Sequence, residues 1–105
     1  MSVTLLSTKE EVVRKLSESK FVAVDFYADW CGPCRMISPK FAQMAGDFEA
    51  VAFCKVNVDE NAEAAEQYGI SAMPTFLFFK NGDKVDEVVG ASEAKLKEAL
   101  EKLLQ

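Results

Sequence analysis

The stretch Phe21-Val22-Ala23-Val24-Asp25-Phe26-Tyr27 is apolar at odd and even positions alike except for Asp25. That is the pattern of a central strand covered by helices on both faces. Before it, Val3 to Leu6 predicts a short strand, and either Ser7 or Thr8 can cap a helix with a glutamate three residues later. Val12, Val13 and Leu16 supply that helix's buried face. From Cys34 onward, Ile37, Phe41, Met44 and Phe48 recur at steps of three and four, a helical stripe that Pro39 should kink without ending. Val51 to Val58 predicts a second strand, so that strand, helix and strand form a right-handed crossover with parallel strands. A short helix over Asn61 to Tyr68 stops at Gly69, and Pro74 opens a strand from Thr75 to Phe79. Asn81-Gly82 predicts a tight hairpin into Val85 to Val89. Ser92 then caps a last helix with Leu96, Ala99, Leu100 and Leu103 on one face.

This plan spans 1–105 as a single α/β domain, with no repeat, linker or low-complexity segment. A chain of 105 residues buries roughly 60 to 70% of its unfolded surface and needs neither disulfide nor metal to fold. Half of its residues are hydrophobic, 28% are charged and the net charge is -5. That balance speaks against a phosphate-binding surface, and so against nucleic acid as a partner. No apolar run approaches a membrane span, and MSVTLLSTKEE lacks a secretory leader, so a cytoplasmic monomer is the expectation. The chain contains no histidine, which leaves Cys, Asp, Glu, Lys or Tyr to carry any acid-base chemistry.

Candidate chemistry concentrates at Asp29-Trp30-Cys31-Gly32-Pro33-Cys34, where the central strand gives way to the long helix. Active sites favour the carboxyl ends of such strands. Free amides and the positive end of the helix dipole stabilise an anion there, which lowers a thiol pKa and raises the fraction of the nucleophilic thiolate. Helical positions three apart hold Cβ atoms ~5 to 6 Å apart, whereas a disulfide needs ~3.5 to 4.5 Å. Cys31 must therefore lie just outside regular helix, with Gly32 permitting the close turn and Pro33 stiffening the first turn. Cys34 continues the buried stripe and should face inward. Cys31 precedes it and should be exposed beside Trp30. The competing readings are half of a zinc site, for which only Cys54 remains as a further cysteine, and a plain structural disulfide.

The segment VDFYADWCGPCRM resembles the active-site segment of the thioredoxin family. The second strand with Lys55, the Met73-Pro74-Thr75 step, Asn81-Gly82 and Val89-Gly90-Ala91 follow in matching order along the full length. Tyr27 departs from a tryptophan often found at its position, and Cys54 is not a general family feature. The resemblance implies the thioredoxin fold, a central mixed sheet of four to five strands flanked by four helices. It also implies a protein-disulfide reductase in which Cys31 attacks and Cys34 resolves. Such a protein binds no cofactor of its own and is recharged by a thioredoxin reductase that draws on NADPH.

A carboxylate inside an apolar strand should have its pKa raised by desolvation, making Asp25 a candidate proton acceptor near Cys34. The bland alternative is a structural aspartate bonded to backbone. Strand alternation puts Lys55 and Cys54 on opposite faces. The resemblance brings Lys55 toward Asp25, where it would moderate the shift, against a lysine that merely snorkels from an edge strand. Cys54 reads first as a small buried hydrophobe and second as a regulatory thiol. The resemblance also makes Met73-Pro74 a cis peptide whose loop lies against Cys31 and pairs with an extended substrate chain. Trp30, Gly32, Pro33, Ala72, Met73, Pro74, Gly90 and Ala91 would then form a small docking surface for disulfide-containing target proteins. The rival from another class is a binding module whose cysteines are incidental.

Overall fold

In the computed structural model, which describes residues 2–105, the apolar run forms β2 (Phe21–Tyr27), the middle strand of a five-stranded sheet. On one side β2 pairs in parallel with β3 (Ala52–Asn57), and on the other it runs antiparallel to β4 (Thr75–Lys80). The outer strands are β1 (Thr4–Leu5), parallel to β3, and β5 (Asp83–Val89), antiparallel to β4. The sheet is therefore mixed, in the order β1-β3-β2-β4-β5.

Four helices cover it: α1 (Lys9–Glu18), α2 (Gly32–Asp47), α3 (Ala62–Gln67) and α4 (Glu93–Leu103). Side-chain alternation divides the core in two. Ala23, Phe53, Phe76 and Phe78 face α2 and α4, where they meet Ile37, Phe41, Leu96 and Leu100. Val24, Phe26, Cys54, Val56, Leu77 and Phe79 face the other way, onto Val12 of α1 and Ala64 of α3. Asp25 and Lys55 share the parity of Ala23 and Phe53, so both project toward α2, with Cα positions in direct register.

Local chemistry accounts for the element ends. Thr8 caps α1 by accepting from the Glu11 amide at 3.1 Å, while Glu11 Oε1 accepts from the Ser7 amide at 3.0 Å. Val13 corrects the expected buried face, being 52% exposed. Successive helical residues point ~100° apart, and only the row from Val12 to half-buried Leu16 meets the sheet. Pro39 lies inside α2 without ending it. Its place on the exposed side leaves the Arg35 carbonyl, deprived of a donor, to water. Asn81 and Gly82 both take positive φ, 53° and 86°, and make the two-residue turn between β4 and β5. Strand β5 starts at Asp83, two residues ahead of the predicted Val85, because Lys80 pairs with Asp83 across that turn. Gly69 follows α3 at φ 65°. Ser92 caps α4 through the Lys95 amide, and Leu96, Ala99, Leu100 and Leu103 are buried as predicted.

Candidate active site

Both β2 and β3 deliver their carboxyl ends to the same pole of the molecule, and the chain enters β4 there from Pro74. Cys31 occupies the N-cap of α2 in extended conformation, one residue outside the helix. It is disulfide-bonded to Cys34, with Cα atoms 5.2 Å apart. The Cys34 amide donates to Cys31 Sγ at 3.2 Å, so a free donor of the helix's first turn is aimed at that sulfur, where it would stabilise negative charge. Met73 O stands 3.7 Å from the same sulfur.

Two expectations about this turn require correction. Cys31 is not exposed: it retains only 5% of its surface, nearly as little as the 3% of Cys34. The cover comes from Cys34 and from the Met73 loop, 42 residues away in sequence, with Tyr27 and Val58 packed around the pair. Gly32 is not demanded by the turn, since a Cβ there would meet nothing closer than Arg35 Nη2 at 4.0 Å. The asymmetry between the cysteines lies instead in their neighbours. Cys34, with Asp25, Tyr27, Arg35, Ser38 and Lys55, lines a cavity of about 140 Å³ on the α2 side of the sheet.

Asp25 is 3% exposed, and its Oδ1 has no hydrogen-bond partner in the protein. Burial pushes its carboxyl up to about 7, against which the Lys55 charge pulls down. Lys55 itself is half-buried, and its ammonium sits over the Tyr27 ring, 5.7 Å from the centroid. Among the described residues the direct ion pairs are Lys15–Glu18 and Lys84–Glu87, so Lys55 acts on Asp25 from a distance. Cys54 faces the opposite core cluster, away from the dithiol, and burial pushes its thiol up to about 11. It stays protonated and unreactive at neutral pH, and it cannot complete a metal site with Cys31 and Cys34.

The remaining predicted residues gather around the disulfide. Trp30 is 67% exposed and donates from Nε1 to Asp59 Oδ2 at 3.0 Å. The Met73–Pro74 peptide is cis. Thr75 Oγ1 donates to Ala72 O at 2.6 Å, and the Gly90 amide donates to Pro74 O at 2.9 Å. That second bond draws Gly90 and its neighbour Ala91 alongside the Pro74 loop. Pro33, Ala72 and Ala91 are exposed, whereas Gly32, Met73 and Gly90 are half-buried.

Sequence reasoning missed Asn57, Asp59 and Met36. Asp59 stands two residues past the carboxyl end of β3, and that topological position was the available signal. Met36, 77% exposed in the second turn of α2, is the one large exposed hydrophobic of that helix. Asn57 gave no signal, because a buried amide at a strand end looks like any loop asparagine.

A disulfide across the first turn of a helix, at the carboxyl pole of a mixed sheet, with a buried carboxylate behind its second cysteine, defines a thiol-disulfide exchange centre. Comparison with known proteins places it. The thioredoxin family model matches residues 3–102. Thioredoxin-1 of Schizosaccharomyces pombe is 43% identical over 98 residues, covering 93% of this chain and 95% of the relative. Thioredoxin-2 of Pyricularia oryzae is 50% identical over 96 residues, covering 91% of this chain; the chain spans only 56% of that relative's length. The solved structure of Plasmodium falciparum thioredoxin superposes with a TM-score of 0.93 at 39% identity, covering 95% of this chain and 98% of that one. The chain belongs to the thioredoxin family. It has the thioredoxin fold, and its activity is that of an oxidoreductase acting on protein disulfides.

Proposed function

We propose that the Cys31 thiolate attacks a disulfide of a target protein, forming a mixed disulfide and releasing one target sulfur as thiolate. Cys34, deprotonated, then attacks Cys31 Sγ, which forms the Cys31–Cys34 bond and expels the second target sulfur. Two electrons and two protons pass from the dithiol to the target in total. The observation that carries this assignment is the division of labour at the turn. The α2 amide of Cys34 is aimed at Cys31 Sγ, while Cys34, rather than Cys31, borders the Asp25 cavity. Asp25, poised near neutrality, takes the Cys34 proton, and Lys55 keeps its carboxyl from rising further.

Trp30, Gly32, Pro33, Ala72, Met73, Gly90 and Ala91 serve as the docking surface, which the buried Pro74 supports from beneath, with the Met73 backbone offered to an extended target segment. Exposed Met36 extends that apolar surface along α2. The oxidised form is recharged by a thioredoxin reductase with electrons from NADPH, in the cytoplasm, where the dithiol stays reduced. Reduction of insulin disulfides under dithiothreitol tests the activity. The wild-type chain should accelerate the reaction catalytically and Cys31→Ser should fall to the uncatalysed rate. Equal rates for the two would leave a binding module.

A further inference from the structure

We propose that Asn57 is a positioning residue that holds Trp30 and the segment before Cys31 in the arrangement a target protein docks against. Asn57 ends β3 in register with Tyr27 and is 4% exposed. Its side chain reaches two loops at once. Oδ1 accepts from the Asp59 amide at 2.9 Å and the Glu60 amide at 3.2 Å, which closes the turn after β3. Nδ2 donates to Asp29 Oδ2 at 3.3 Å, in the loop after β2.

Both arms converge on the same dipeptide. Asp59, whose backbone Asn57 pins, accepts the Trp30 indole through Oδ2 at 3.0 Å. Asp29, which Asn57 holds directly, precedes Trp30, and its carbonyl accepts from Arg35 Nη1 at 2.7 Å. Trp30 leaves two-thirds of its surface in water, so packing alone does not orient its ring. The polar route through Asp59 is what orients it, and Asn57 is where that route enters the buried interior. Fixing the indole beforehand spares a partner the entropy of ordering it on docking. A buried amide that binds both loops, and that also meets the Tyr27 side chain at the end of β2, is suited to the task, since losing it removes three loop hydrogen bonds together.

This inference rests on Trp30 belonging to the docking surface, and its test separates the two. The chain has one tryptophan, so the indole N–H resonance, and the fluorescence excited beyond the tyrosine absorption band, report Trp30 alone. Asn57→Ala should move both signals toward those of a free indole. It should raise KM for insulin about tenfold, equivalent to ~1.4 kcal/mol, with kcat changed less than about twofold. Asp29→Ala leaves the Asn57 acceptor for Asp59 and Glu60 in place and removes only the partner of Nδ2, so it should retain the Trp30 resonance and raise KM less. Should Asn57→Ala not fold, the surface change Asp59→Ala cuts the same link and should raise KM to the same extent. An unmoved Trp30 signal in the folded variant would overturn the proposal, as would a moved signal with KM unchanged. Failure of the wild-type chain to reduce insulin would instead overturn the docking reading itself.

Discussion

Asp25 puts a carboxyl between the sheet and α2 with one oxygen wholly without a protein partner, and the physical consequence is a proton held too tightly for an aspartate. Because its folded pKa lies above the unfolded value, the native state binds that proton more strongly than the unfolded chain does. Its stabilising contribution is complete below about pH 4 and is lost as pH rises through about 7. The loss is on the order of 4 kcal/mol in full. Tyr27, Tyr68 and Cys54 are raised as well, by burial first, but from ordinary values of 9.0 and above, so they titrate outside this window. Asp25→Asn should flatten the decline, as read by urea unfolding from pH 4 to 8. The same variant should slow decay of the mixed disulfide by about ten- to a hundredfold, because Cys34 loses its proton acceptor. A pH profile and a decay rate both like those of the parent would make Asp25 a structural residue only.

At the scale of elements, α4 stays on the sheet through Leu96 and Leu100, both fully buried against the β4 face that carries Phe76 and Phe78. Leu100→Ala should cost about 2 to 5 kcal/mol of stability by chemical denaturation, while the folded fraction reduces insulin at the parent rate. A loss of activity per folded molecule would mean that α4 reaches into the site. Elements of this kind were legible because their signals are local. The two-sided run of β2, the Asn81-Gly82 turn and the stripe of α4 each declare themselves within a few residues. The same holds for Cys31 at the cap, since spacing alone forbids both cysteines from lying in regular helix. Val13 misled because three apolar residues in α1 look like a face when only the Val12–Leu16 row meets the sheet. The burial of Cys31 and the clasp of Asn57 were invisible for another reason: Met73 covers the one and Asp29 receives the other, from 42 and 28 residues away.

The whole molecule brings those distant segments together because two parallel strands end at one pole and an antiparallel third begins there. Residues 25–35, 55–59, 73–75 and 90–91 thus meet on one end of a body 32 × 28 × 22 Å, with the disulfide beneath the Met73 loop. Such a site works as one unit only if the covered Cys31 is still the sulfur that attacks. The direct test is to incubate reduced Cys34→Ser and reduced Cys31→Ser with disulfide-containing proteins and to locate adducts by mass spectrometry. Cys34→Ser should accumulate partner proteins covalently joined at Cys31, since nothing remains to expel them, and Cys31→Ser should carry none. Adducts at Cys34 of Cys31→Ser, with none on Cys34→Ser, would contradict the account at its centre.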